Sequence, residues 1–203
     1  MYFIHGKDRE GAILKEAVNE KAVRAMRAFL EAIGVDLEAR GMEKTPARVA
    51  KMYAYLFNGM NRGTEDIWGE TFPTGASGLV AVRHIPFYSM CEHHLVPFFG
   101  TVDIVYLPRE GRVAGFSKFT QLVERIAHQP QLQERMTAQI AQAIAHDLGA
   151  EGVLVKVEAL QLCMTMRGDL APGTRTVTSE ATGTFRADRS AYQQAWLTLG
   201  GEP

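Results

Sequence analysis

The chain has 203 residues, of which 46% are hydrophobic, so it is long enough for one well-packed domain or for one and a half. Its formal net charge of −1 leaves no basic excess of the kind that binds nucleic acid or anionic membranes. No apolar run approaches the roughly 20 residues of a membrane span, and the N-terminus lacks the pattern of a signal peptide. We therefore expect a cytoplasmic protein, in which Cys91 and Cys163 either bind a metal or are simply buried.

The first part of the chain is predicted to be helical. Apolar residues at helical spacing predict an amphipathic helix within residues 13–33. Thr45 as a cap and Pro46 at the first helical position predict a second helix, which runs to about Asn58. The Gly-rich, polar stretch that follows is typical of a connection. We expect an N-terminal helical region with its connection over residues 1–78 and a second domain over residues 79–203.

From Leu79 the pattern changes to that of strands. Strands are predicted over 79–87 and 100–106, and these two could pair as neighbours. Two helices follow, one from Ser117 and one in which Met136, Ile140, Ile144 and Leu148 recur four residues apart. Strands over 153–162 and 174–185 and a short amphipathic helix complete the chain. This order predicts an α+β fold, with an antiparallel sheet and two helices packed on one of its faces.

A cluster of potential metal ligands follows the first of these strands, in the stretch Ser89–His94. Cys91 and His94 have the spacing at which one tight loop presents two ligands to a zinc ion, and His93 lies beside them. Cys163, at the end of a later strand, is a candidate third ligand. Two thiolates and one imidazole leave a fourth position open for water, which zinc acidifies to a pKa of about 7. The alternatives are a chance cluster of polar residues and a buried Cys163 without a metal.

The chain resembles the GTP cyclohydrolase I family from about residue 15 to residue 190. The resemblance rests on six blocks in the same order, namely Thr45–Tyr53, Ser89–Gly100, Gly115–Phe119, Pro130–Arg135, Cys163–Gly168 and Thr176–Ser179. It implies a tunnelling fold (T-fold), in which protomers join their sheets around a ring. The family usually forms a homodecamer of two pentamers, with each active site shared between subunits.

The resemblance also implies a reaction on GTP, in which water activated by Zn2+ attacks C8 of the guanine and opens the imidazole ring. Formate then leaves, the ribose rearranges, and 7,8-dihydroneopterin triphosphate forms. By position, Cys91, His94 and Cys163 match the zinc ligands, and His93 matches a proton-transfer residue. The residues that match substrate contacts are Glu134, which faces the N1–H and amino edge of guanine, Gln133 beside it, and the triphosphate positions Arg48, Ser117, Lys118 and Arg167.

Two departures from the family pattern bear on the reaction. Gln161 occupies the position of a catalytic histidine, and an amide cannot carry a proton near neutral pH as histidine can. Losing a general acid or base typically costs about 10²- to 10⁴-fold in the step that it serves. Gln121 and Gln129 occupy positions where the family usually has arginine. Either Arg125, one helical turn after Gln121, reaches the same side, or the substrate has fewer phosphates or a different tail.

Three hypotheses follow from this pattern. The first is an enzyme that carries out the full reaction despite Gln161, with water or another residue replacing the histidine. The second is a diverged hydrolase that stops at the formamidopyrimidine nucleotide or uses another guanine compound. The third is a non-catalytic homologue that binds a nucleotide or regulates a partner ring. The retained zinc ligands, His93 and Glu134 argue against the third, because a protein that only binds has no need of an open metal site.

Overall fold

The computed structural model describes residues 19–75, 77–166 and 172–200 of the chain. The described residues form two compact units, which divide between Asn58 and Gly59. The N-terminal unit contains two packed helices, α1 (Glu20–Ala32) and α2 (Thr45–Leu56). The side chain of Asn19 caps α1 by accepting a hydrogen bond from the backbone of Lys21 at 2.9 Å, and Pro46 lies in the first turn of α2. Residues 13–18 of the first predicted helix lie outside the described residues.

The second unit contains the sheet and the helices that cover it. Its strands are β1 (Phe72–Pro73), β2 (Val80–Cys91), β3 (Pro97–Leu107), β4 (Arg112–Val113), β5 (Pro130–Gln131), β6 (Gly152–Gln161) and β7 (Thr176–Gly183). Its α-helices are α3 (Phe116–Ala127), α4 (Gln133–Asp147), α5 (Leu162–Thr165), α6 (Thr184–Ala187) and α7 (Arg189–Thr198). None of the helices within the described ranges is both long enough and apolar enough to cross a lipid bilayer.

The main sheet has the strand order β5-β2-β3-β6-β7. The four long strands are antiparallel to their neighbours, and β2 and β3 pair as predicted. The two residues of β5 add a short parallel pairing with Met90 and Cys91. The strand β7 forms one edge of the sheet, and within the described ranges nothing pairs with its outer side. Within the same ranges, the outer side of β2 is paired only at its last two residues, Met90 and Cys91.

Helices α3 and α4 pack on one face of this sheet. Side chains along a strand alternate between the two faces of the sheet, so every second residue of a strand points towards these helices. Val102, Ile104 and Tyr106 of β3 point into the core that these helices close, and all three are fully buried. Val105 points the other way and joins Ala195 and Leu199 from the region of α7 in a smaller cluster. The predicted α+β architecture is confirmed, and the C-terminal helix covers part of the opposite face.

Candidate metal centre

The candidate ligands meet at one end of the sheet, where β2 and β6 end and β3 and β7 begin. The register places Phe98 of β3 opposite both Ser89 of β2 and Gln161 of β6. Cys91 and Cys163 therefore follow two strands that flank β3 and finish at the same end. We call this end of the sheet the Cys91 end.

The sulfur and nitrogen atoms of Cys91, His94 and Cys163 all lie within 4.8 Å of one another. Cys91 Sγ and His94 Nδ1 are 3.9 Å apart. Tetrahedral zinc with bonds of about 2.3 Å to sulfur and 2.0–2.1 Å to nitrogen would place such atoms roughly 3.6–3.8 Å apart. Cys91 is buried, Cys163 is half-buried and His94 is exposed. Both the donor set and its spacing therefore fit a zinc ion that is open to substrate on one side.

Backbone hydrogen bonds fix the loop between Cys91 and Val96. The N–H of Cys91 donates to the carbonyl of Val96 at 2.9 Å, and the N–H of Leu95 donates to the carbonyl of Cys91 at 2.8 Å. Leu95 has a φ of 51°, a left-handed conformation that costs a non-glycine residue roughly 1–2 kcal/mol. Surrounding contacts must hold such a residue in place, and strained positions of this kind cluster at functional sites.

A charged pair ties the same loop to helix α4. The carboxylate of Glu92 accepts a hydrogen bond from the guanidinium of Arg135, and its other oxygen lies 3.8 Å from Nε2 of His93. Arg135 also donates from Nε to the buried Gln131 at 3.2 Å. His93, with 63% of its side chain exposed, thus lies beside the ligands with a carboxylate next to its ring. Glu92 and Arg135 were not among the predicted site residues, although both lie inside blocks that match the family.

Gln161 lies beside Cys163 in a second network, with its Oε1 3.9 Å from the Cys163 sulfur. Its Nε2 donates to Oε1 of Gln133 at 2.7 Å and to the hydroxyl of Thr176 at 3.4 Å. Gln133 is only 4% exposed, and its own Nε2 is engaged by backbone carbonyls. The amide of Gln133 is therefore occupied by protein partners, and its predicted contact with a base stays a prediction.

The remaining predicted substrate residues of the second unit occupy two different places. Glu134 is exposed in the first turn of α4, directly after the β5 residues that pair with Met90 and Cys91. Ser117 and Lys118 lie in the first turn of α3, whereas the last residue of that helix, Ala127, contacts Ser89. Ten helical residues at 1.5 Å each separate Ser117 from Ala127 by about 15 Å. The Cys91 end therefore lies beside the last turn of α3, whereas Ser117 and Lys118 of the same chain lie in its first turn.

The other cationic positions differ in their surroundings. Arg48 is exposed on α2 of the N-terminal unit, and Arg167 lies outside the described residues. Arg125 is bound by the carboxylate of Asp66 and by the carbonyl of Gly63, the latter at 2.8 Å. That pairing lowers the pKa of the Asp66 carboxyl below its usual value. Arg125 is therefore engaged by the 63–66 loop in this structure.

A separate cleft of about 380 Å³ lies between residues 59–65 and helices α3 and α4. Its lining is mixed and includes the polar residues Arg62, Gln129, Gln142 and Asp147 and the apolar Ile126. None of the three candidate ligands lines it. We place the chemistry at the Cys91 end, because that is where thiol, imidazole and carboxylate groups converge.

Comparison with known proteins identifies the family. The family model for GTP cyclohydrolase I matches residues 22–199. GTP cyclohydrolase 1 of Streptococcus agalactiae is 47% identical over 175 residues, which cover 86% of this chain and 94% of that protein. The enzyme of the same name from Bacillus subtilis is 48% identical over 178 residues, covering 88% and 94%, and that of Geobacillus kaustophilus is 51% identical over 167 residues, covering 82% and 89%.

The chain is an α+β protein with a candidate Cys–His–Cys metal centre at one end of its sheet. It belongs to the GTP cyclohydrolase I family, which confirms the resemblance seen in the sequence. Its antiparallel sheet, with two helices on one face and preceding N-terminal helices, is the protomer architecture of the predicted T-fold. Among solved structures, an archaeosine synthase QueF-Like in the apo form is similar with a TM-score of 0.43 and 19% identity, over 54% of this chain and 97% of that one. That likeness is too weak to support an argument.

Proposed function

We propose that the chain is a zinc-dependent hydrolase of the GTP cyclohydrolase I type, which opens the imidazole ring of a guanine nucleotide at C8. GTP is the substrate that the names of the relatives favour. The observation that carries the proposal is the convergence of the Cys91, His94 and Cys163 ligand atoms within 4.8 Å. Zinc held by these residues would supply an activated water near neutral pH and polarise the base.

Two further residues at the Cys91 end have the chemistry that the reaction requires. The Glu134 carboxylate can accept two hydrogen bonds, which matches the adjacent N1–H and amino group of guanine and selects that base over adenine. Addition of water to C8 and opening of the ring both require proton transfer, and we assign that role to the His93 imidazole. The Glu92 carboxylate, 3.8 Å from Nε2 of His93, favours one orientation of the His93 ring.

The triphosphate contacts are proposed to come from a second copy of the chain. Ser117 and Lys118 are separated from the Cys91 end by the length of α3, so one copy does not bring these groups to the same substrate. A ring of protomers that pair β2 of one copy with β7 of the next would use both open edges of the sheet. We propose such a homo-oligomer, a decamer of two pentamers, with Arg48 and Arg167 among its phosphate contacts.

Gln161 supports a second candidate function, in which the reaction stops at the formamidopyrimidine nucleotide. Both hydrogens of the Gln161 amide are engaged, by Gln133 and by Thr176, and an amide does not titrate near neutral pH. The later steps, release of formate and closure of the pyrazine ring, each require proton transfers. If Gln161 occupies the place where the family uses histidine for these transfers, the ring-opened nucleotide accumulates.

The test is incubation of the purified full chain, reconstituted with Zn2+, with GTP, followed by mass spectrometry of the products. Addition of one water without loss of formate identifies ring opening alone. Released formate and a pterin that fluoresces after oxidation identify the full reaction. The matched controls are His94→Ala, which removes a candidate ligand, and Gln193→Ala, an exposed position on α7.

The proposal requires turnover by the wild type and by Gln193→Ala, and its loss in His94→Ala. Unchanged GTP, GDP, GMP and guanosine in the presence of zinc-loaded wild-type protein would refute both candidate reactions and leave a binding role. Turnover that persists undiminished in His94→Ala would refute the metal centre.

A further inference from the structure

The hydrogen bonds around Gln133 determine which end of its amide faces which partner. One end lies 3.1 Å from the carbonyl oxygen of Val157 and 3.1 Å from that of Thr176. A backbone carbonyl oxygen can only accept a hydrogen bond, so the atom facing both must be the NH₂ group, Nε2. The opposite atom of Gln133 is therefore the acceptor Oε1.

The orientation of the Gln133 amide determines that of the Gln161 amide. Oε1 of Gln133 accepts a hydrogen bond from the Thr176 hydroxyl at 2.6 Å and lies 2.7 Å from the amide of Gln161. Two oxygen acceptors at 2.7 Å would repel each other, so the Gln161 atom at this contact must be its donor, Nε2. The carbonyl oxygen of Gln161 then points to Cys163, 3.9 Å from the sulfur.

We propose that Gln133 is a positioning residue, which holds Gln161 as a fixed hydrogen-bond acceptor on the Cys163 side of the metal centre. This inference rests on the proposed function for the presence of a metal there. The orientation itself follows from the two backbone carbonyls. Gln133 is buried and its amide has no donor left over, so its role is to orient another side chain rather than to contact a base.

The fixed acceptor defines the kind of group that binds beside it. Gln161 Oε1 can accept a hydrogen bond from an N–H or O–H of a bound ligand, and it repels a lone pair. Gln161 thus offers an acceptor at this place but, as an amide, cannot take up a proton there.

Neutron diffraction from crystals of the deuterated wild-type protein tests the orientation directly. We expect two deuterons on the Gln161 atom that faces Gln133, two on the Gln133 atom that faces Val157 and Thr176, and none on the Gln161 atom that faces Cys163. Deuterons on the atom facing Cys163 would overturn the proposal. This result does not depend on whether the protein turns over GTP.

The electronic spectrum of the Co2+-substituted protein tests the positioning role. In Gln133→Met the Gln161 amide is released and can turn its NH₂ towards the Cys163 thiolate, which moves the thiolate-to-cobalt charge-transfer band to shorter wavelength. Thr176→Val is the matched control, because it removes a hydroxyl that contacts both amides but keeps the two backbone carbonyls that orient Gln133. We expect the band of Thr176→Val to coincide with that of the wild type.

The double variant Gln133→Met/Gln161→Leu separates this effect from a general disturbance of the core. It lacks the donor, so its band should return to the wild-type position. An unshifted band in cobalt-loaded Gln133→Met, or a shift that persists in the double variant, would overturn the positioning role. If wild-type protein leaves guanine nucleotides unchanged but both measurements come out as expected, the proposed reaction fails and the orientation of Gln161 stands.

Discussion

The hydroxyl of Ser89 donates a hydrogen bond to the carbonyl oxygen of Ala127 at 2.7 Å, which joins the last residues of β2 to the C-terminal end of α3. Ser89 is only 1% exposed and lies two residues before Cys91. The contact fixes the C-terminal end of α3 beside the candidate metal centre. The first turn of α3, at the opposite end of the helix, lies about 15 Å from Ala127.

Ser89→Ala should destabilise the protein, because it removes one of the two hydrogen bonds that the Ala127 carbonyl accepts, the other coming from the N–H of Gln129 at 2.9 Å. A hydrogen bond of this kind contributes about 0.5–1.5 kcal/mol to stability, which corresponds to a fall in Tm of roughly 1–6 °C for a chain of this size. Thermal unfolding at a fixed protein concentration measures the change. Ser190→Ala, at an exposed position in α7, is the control and should leave Tm within about 1 °C. Equal shifts in the two variants would mean that the buried hydrogen bond contributes nothing.

Cys163→Ser should remove zinc from the purified protein. A serine hydroxyl stays protonated near neutral pH and is a poor replacement for a thiolate. The affinity should fall by more than the roughly 10- to 100-fold that follows loss of an outer-shell partner. Competition with a chromophoric chelator measures the affinity, and Met164→Leu at the neighbouring, partly exposed position is the control. Zinc bound as tightly by Cys163→Ser as by the wild type would place the metal elsewhere.

Stability should depend on pH through His128. Burial lowers the pKa of the His128 imidazole below its ordinary value of 6.5, while the nearby Glu124 carboxylate acts in the opposite direction. The unfolded chain therefore takes up this proton at higher pH than the folded chain does. The contribution of neutral His128 to the free energy of unfolding is complete above about pH 6.5. It is lost as the pH falls from there towards the pKa of His128 in the folded chain.

The measurement is Tm between pH 7.5 and pH 5.5 for the wild type and for His128→Gln, whose amide does not titrate. We expect a steeper fall for the wild type over this range. The control is His146→Gln, since the side chain of His146 is 88% exposed. If His128→Gln and the wild type lose stability in parallel, His128 does not cause the dependence on pH.

Gln161→His should increase the yield of pterin for each GTP consumed. Histidine can carry a proton near neutral pH, and general acid–base catalysis contributes about 10²- to 10⁴-fold to a step. The ratio of fluorescent pterin to ring-opened nucleotide measures the gain, and Gln193→His on the exposed side of α7 is the control. A ratio unchanged by Gln161→His would show that position 161 does not limit the later steps.

Much of the fold could be predicted from the sequence, because its signals are local. The four-residue recurrence of Met136, Ile140 and Ile144 predicted α4, and all three residues are fully buried. The alternation along Thr101–Tyr106 predicted β3. Cys91 and His94 could be recognised as candidate ligands because both lie in one short loop.

The remaining features depend on contacts between residues that are distant in sequence. Nothing local to Gln133 indicates that its amide meets Gln161, 28 residues later, rather than a ligand. Arg125 has helical spacing that could bring it to the side of Gln121, but it pairs with Asp66 from a loop 59 residues earlier. The separation of Ser117 from Cys91 follows from the direction of α3, which only the packed structure fixes.

If copies of the chain pair at the open edge of β7, as proposed above, the stability of each chain depends on the protein concentration. Within the described ranges the outer backbone donors and acceptors of β7 have no strand beside them, so another copy that pairs there binds the folded chain and not the unfolded one. By mass action, dilution then favours unfolding, and Tm should fall steadily as the protein concentration is lowered. A Tm independent of concentration would mean that water alone satisfies this edge.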